Sequence, residues 1–422
     1  MKKLNRLILY VLLLPCLIVA CGKDDHEGTV QKNTVLLFYG AGYNNLSSDI
    51  SGNISTFLEG SLPAYHSNKK LLVFTHLSRT DSDCVTPVPS YLYEVSRTLG
   101  GITVCDTLLT FDAERTAADN EILREVLSFI RDRYPDANYG MIASSHGTGW
   151  LPAGNYYGGY STVIQYRKRP EGSVSLPVYR RNANPDEPKV KTFSAEFTKI
   201  DGVIYSREMS IKSMVDAIPM HLDYIIFDAC LMGGAEVAYQ FRNKVDKIGF
   251  SPAEVLAAGY DYSHLNQDLL SDTPSVESFC EAFYKKYLNR SATVCVVKTS
   301  GLEDLADACR YLAEKYSGSL AALDEESDVQ PYFRYDYSWF YDLEDIFIKA
   351  GADSDDLARL KHALDGCISY KAATENFLIG FGGFPVKHFS GLSMFLPSMC
   401  PDDEVLNFYR DLDWNRAVNL VE

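Results

Sequence analysis

Short, nearly uninterrupted apolar runs recur along this chain, each closed by glycine, proline or a small polar cluster, with helically spaced stretches between them. TVLLFYG (ending at Gly40), KKLLVFTHL (69–77), YGMIASSH (139–146), DYIIFDAC (223–230), KIGFSP (247–252) and ATVCVVKTS (292–300) read as buried strands. SYLYEVS (90–96) alternates, which fits an edge or half-buried strand. Over 118–135, Ile122, Val126, Phe129 and Ile130 share one helical face, with Asp119 placed to cap and Pro135 to stop it. LMGGAEVAYQFRNKV (231–245) predicts a helix that leaves Cys230 directly. Apolar strands alternating with helices predict an α/β fold, a mostly parallel β-sheet flanked by helices on both faces. Functional groups in such a sheet gather beyond the C-terminal strand ends. His146 and Cys230 both fall there.

Two segments depart from this rhythm. Residues 153–206 are polar and rich in Gly, Pro and Tyr, and they carry Arg167, Lys168, Arg169, Arg180, Arg181, Lys189 and Lys191. A stretch of that length without periodicity predicts an exposed basic insertion in a domain spanning 33–300. Beyond it, helical patterns over 302–326 and 356–373 and an apolar run, FSGLSMFLPSM (389–399), predict a separate C-terminal α+β domain over 301–422.

The N-terminus is a targeting segment. A basic start and a short apolar run from Leu7 to Ala20 fit a secretory signal over 1–20, followed by a polar tether over 21–32. The run ends in IVAC, which resembles a bacterial lipobox and implies cleavage before Cys21 and lipidation of its thiol; an ordinary signal peptide with an incidental Cys21 is the alternative. GKDD after Cys21 resembles a surface-export signal, so the expected location is the bacterial envelope, lipid-anchored at the outer membrane and facing the cell surface.

Composition narrows the partners. The 422 residues are 46% hydrophobic, enough for a large core, and the net charge of −16 argues against nucleic acid, which demands a basic face. Ten cysteines in an exported chain leave disulfides and buried free thiols both open, and no CxxC or Cys/His cluster suggests zinc.

The chemistry of the two strand ends is that of amide hydrolysis. A thiolate is a strong nucleophile, and a neighbouring imidazole can take the thiol proton and return it to the leaving amine. Gly147 has no β-carbon, so its N–H can approach a carbonyl oxygen; with the Cys230 N–H it would form an oxyanion hole. A helix starting at Cys230 would further favour the thiolate.

These blocks resemble the clostripain family of cysteine peptidases, in the clan of caspases, gingipains and legumains. YPDANYGMIASSHGTGW (134–150) is similar to the family's His block and YIIFDACLMGGAEVAY (224–239) to its Cys block, while YGAGYNNLSSD (39–49) and GLSMFLP (391–397) match its opening turn and closing strand more loosely. The resemblance implies a caspase-like core and a catalytic pair, His146 and Cys230, without a third member. It implies that Asp228 lines the S1 pocket and selects Arg or Lys at P1; a cap for the following helix is the alternative role. FSPAEVLAAGYDY (250–262) departs from the family's pocket segment, leaving Asp261 as either a second S1 acid or a loop residue. Maturation by cleavage in the basic insertion, and calcium responsiveness, follow from resemblance alone; no required cofactor or metal is expected. The expected function is a cysteine endopeptidase acting on protein or peptide substrates with a basic P1 residue. The alternative is a surface-binding lipoprotein with an inactive peptidase fold.

Overall fold

The computed structural model describes residues 32–81, 86–152, 196–200, 203–334, 338–400 and 402–422, with backbone alone for 197–200 and 203–207. Cys21, Cys84 and the basic cluster from Arg167 to Lys191 lie outside them.

The strands include β1 (Thr34–Gly42), β2 (Lys69–Leu77), β3 (Ser90–Arg97), β4 (Thr103–Phe111), β5 (Asn138–Ser144), β6 (Glu196–Ile200), β7 (Val203–Arg207), β8 (Leu222–Asp228), β9 (Val245–Phe250), β10 (Thr293–Lys298), β11 (Tyr341–Asp342) and β12 (Ile368–Ala373), with three two-residue strands after β12. Nine of them form one sheet in the order β12-β10-β9-β8-β5-β1-β2-β3-β4. The five central strands, β9 to β2, are parallel, and antiparallel strands close both edges. A parallel centre is covered on both faces, which is why its strands carry no polar alternation. Along β1 every residue from Val35 to Gly42 is buried, and β8 is buried except at Asp223.

Helices fill the two layers. Phe57 of α1 (Ser47–Glu59) packs edge-on to Phe38 of β1. On the same side lie α5 (Leu265–Leu269) and α6 (Val276–Lys286), whose Phe279 meets Tyr262. Phe227 of β8 instead meets Phe241 of α4 (Ala235–Phe241), which adjoins α3 (Ile211–Ala217) and through it α2 (Asn120–Arg133). Each such side chain removed from water contributes roughly 1.5–3 kcal/mol. Asp119 caps α2 by accepting from the Glu121 N–H at 3.3 Å.

Several expectations need correction. Residues 301–422 are not a separate domain: Lys32–Glu422 is one compact unit, and β12 pairs with β10 at the edge of the main sheet. Its helices, α7 (Leu302–Lys315), α8 (Ser317–Ala321), α9 (Leu343–Lys349) and α10 (Ser354–Cys367), belong to that unit. Of the strand expected over 389–399, only Ser393–Met394 forms, pairing with β11. Towards the end of the expected insertion, Glu196–Ile200 pairs antiparallel with Val203–Arg207, and Glu196 is fully buried. Its carboxylate accepts from His76 Nδ1 at 2.8 Å and the Ala117 N–H at 2.7 Å, so an acid with local polar context is pinned by distant donors. β4 had no visible signal, because it is a largely exposed edge strand in which three threonines and Asp106 interrupt the apolar positions.

Candidate active site

β5 and β8 are neighbours, in a parallel register that pairs Ser144 with Asp228. His146 and Cys230 each lie two residues beyond that pair, so both leave the sheet at the same height on adjacent strands. The two loops touch. A β-carbon on Gly147 would stand 2.4 Å from the Cys230 carbonyl oxygen, 2.9 Å from Ala229 Cβ and 3.2 Å from the Cys230 nitrogen. Only glycine allows that approach.

The loop after β8 is not the start of a helix. Leu231 adopts φ +62°, a left-handed conformation disfavoured by its β-carbon, and α4 begins only at Ala235 with Gly234 as N-cap. The helix-dipole argument for Cys230 therefore fails, and Asp228 caps no helix. What holds the turn is distant chain: Leu231 N–H donates to Ala253 O at 3.0 Å, Gly233 N–H to Ser251 O at 2.8 Å, and Ser393 N–H to Gly233 O at 2.9 Å.

Cys230 is fully buried. Its sulfur accepts from the Val255 N–H at 3.1 Å and donates toward the Val255 carbonyl at 3.6 Å. Glu254, beside Val255, pairs with Arg334 at 2.6 Å, both side chains 1% exposed. Arg334 also donates to Phe381 O at 2.7 Å, so the C-terminal third of the chain fixes the loop that grips the thiol.

His146 is 8% exposed, and its Nε2 lies 2.7 Å from Asn45 Oδ1. An amide oxygen only accepts, so Nε2 is the donor in this bond, and in a neutral ring that leaves the lone pair on Nδ1. Asn45 follows β1, the strand on the other side of β5, and thus reaches the same rim. The sequence reading did not single it out as a partner of His146; its signal was the Asn-Asn pair closing an apolar strand.

Asp228 is fully buried and accepts at Oδ2 from Ser144 Oγ (2.8 Å) and Tyr262 Oη (2.7 Å). Asp261 is partly exposed and caps a single 3-10 turn, accepting at Oδ1 from the Ser263 N–H (3.2 Å) and Oγ (2.6 Å). No two of the seven cysteines among the described residues are joined in a disulfide, and burial pushes the thiols of Cys280, Cys295 and Cys309 well above the usual range. Among the described residues no three His, Cys, Asp or Glu side chains are grouped to hold a metal ion.

The sequence profile of the clostripain family, Peptidase_C11, matches residues 196–415, more than half of the chain. The chain belongs to the clostripain family. It is a cysteine peptidase, with the family's helix-flanked, mostly parallel sheet. An inactive zymogen C11 protease from Parabacteroides distasonis is similar at 25% identity and a TM-score of 0.71, over 92% of this chain and 98% of that one. A secreted C11 cysteine protease from Bacteroides thetaiotaomicron, solved with an irreversible peptide inhibitor, shares the fold at 21% identity and a TM-score of 0.70, over 92% and 99%. No curated protein matches this clostripain-family chain.

Proposed function

We propose that this clostripain-family peptidase is a lipid-anchored, extracytoplasmic endopeptidase that cleaves after Arg or Lys, with His146 and Cys230 as its catalytic pair. The observation that carries the reading is the Ser144–Asp228 register, from which both groups emerge two residues later on touching loops. His146 Nδ1 takes the thiol proton, and the thiolate attacks the scissile carbonyl carbon. The amides of Gly147 and Cys230 receive the developing oxyanion. The C–N bond then breaks, the imidazolium protonates the departing amine, and water hydrolyses the thioester to regenerate the thiol. At Asp228 a P1 guanidinium or ammonium would find a carboxylate for charge-assisted hydrogen bonds. The partly exposed Asp261, on the loop that follows β9, is proposed as an auxiliary acid.

The buried thiol supports a latent single-chain form, since a sulfur with no exposure cannot meet a peptide. We infer that cleavage within the basic insertion frees it. Anchoring rests on the Cys21 motif, and an outer-membrane, surface-facing location on the residues after it. Metabolic labelling with a palmitate analogue tests this: incorporation lost in Cys21→Ala is expected, and no incorporation into the unaltered chain would remove the anchor.

The decisive measurement is hydrolysis of an Arg-ending fluorogenic peptide. Cys230→Ala should abolish it; retained turnover would refute the catalytic assignment. A thiol-reactive probe with Arg at P1 separates this reading from a binding protein of inactive fold. Labelling at Cys230 is the enzyme's outcome, and a folded, processed chain that resists every such probe is the binder's.

A further inference from the structure

The carboxylate of Asp228 is roofed by the loop 256–262, and that roof is tied down from outside by α6. Lys286, the last residue of α6, donates from Nζ to three consecutive carbonyls: Ala258 (3.0 Å), Gly259 (3.0 Å) and Tyr260 (2.9 Å). The next residue, Tyr287, adds a bond from its hydroxyl to the Gly259 carbonyl at 2.8 Å. Directly beneath the doubly held carbonyl, Gly259 has φ +60°. A β-carbon there would lie 2.7 and 2.9 Å from the two Asp228 oxygens and 3.0 Å from Asn53 Nδ2. The loop therefore presses bare backbone onto the acid. Three residues on, Tyr262 donates its hydroxyl to Asp228 Oδ2.

We propose that Lys286 is a positioning residue for P1 selection, its ammonium clasping the 258–260 carbonyls so that Gly259 and Tyr262 hold the Asp228 carboxylate at a fixed depth and orientation. The inference rests on the reading of Asp228 as the P1 acid. The physical argument is one of stiffness. A loop of seven residues with a left-handed glycine has many conformations, and three charge-assisted bonds from one exposed side chain select one of them. A carboxylate whose walls shift loses the preorganisation that separates a guanidinium from a neutral side chain of similar length. Neither the nucleophile nor the imidazole touches Lys286 through any of these bonds, so the effect belongs to binding and not to the chemical step.

The test compares Arg-ending with norleucine-ending fluorogenic peptides in the whole protein after cleavage within the basic insertion, checked for completeness by the size of the fragments. Lys286→Met keeps the aliphatic stem and, being exposed, leaves the core filled. It should raise KM for the Arg peptide about tenfold, change kcat less than twofold and lower the Arg-to-norleucine ratio of kcat/KM by a similar factor, while Lys286→Arg restores most of the ratio. An unchanged ratio overturns the proposal. So does an equal fall in kcat for both peptides, the signature of a merely structural role. Asp228→Asn separates the two levels. If it leaves the ratio unchanged, the P1 reading fails and the clasp falls with it; if it collapses the ratio and Lys286→Met does not, only the clasp falls.

Discussion

Ser144 and Asp228 face each other in register on adjacent parallel strands, and the Ser144 hydroxyl donates to Asp228 Oδ2 at 2.8 Å with both side chains fully buried. The bond ties the two strands at the level from which the imidazole and the thiol emerge two residues later. Ser144→Ala removes a donor from a buried acid, and such bonds to charged groups contribute about 1.5–3 kcal/mol. Chemical denaturation should register a loss in that range. A change below about 0.5 kcal/mol would show that the pair does not brace the site.

Asn45 should govern the orientation of the His146 ring. Asn45→Ala frees Nε2 from its acceptor and lets the ring adopt the other tautomer or turn away. Because Asn45 is exposed, folding should be intact. We expect kcat/KM to fall about 10–100-fold, carried by kcat with KM little changed, and to recover partly in Asn45→Gln. An unaltered kcat would make Asn45 incidental.

Gly147→Ala tests the contact between the loops directly. The added carbon would overlap the Cys230 carbonyl, so the loops must separate by about 1 Å or more. Misplacement on that scale costs about 100-fold in rate, while overpacking costs about 1–3 kcal/mol of stability. Activity near that of the unaltered chain would contradict the packing.

Glu236 should impose a pH dependence on stability. Burial raises its carboxyl from 4.5 to about 7, against the opposing bonds from the Phe395 N–H and the Tyr409 hydroxyl. The folded state thus holds its proton more tightly than the unfolded chain does. Stability is unaffected below pH 4.5, falls as pH rises from there to 7, and is lower by roughly 3 kcal/mol above it. Unfolding free energies between pH 4.5 and 8 should show this decline, and Glu236→Gln should flatten it. A decline that persists in the variant would assign it elsewhere.

Much of this architecture was legible because its causes are local. An apolar run such as Val35–Tyr39 or Tyr224–Phe227 is buried in any sheet that covers both faces, and Asp119 caps the helix beside it. The sequence also marked the two strands whose ends meet. Tertiary structure decided the rest through bonds that no window of residues contains. The turn at Leu231 replaced an expected helix because Ser251, Ala253 and Ser393 satisfy its backbone from far along the chain. β12 joined the main sheet because β10 offered an antiparallel edge, and Arg334 reached Glu254 across 80 residues. Asn45 came to His146 by strand order alone, β1 beside β5. Local periodicity determines which segments must be buried; which segments then satisfy one another's polar groups is settled only when the chain is packed.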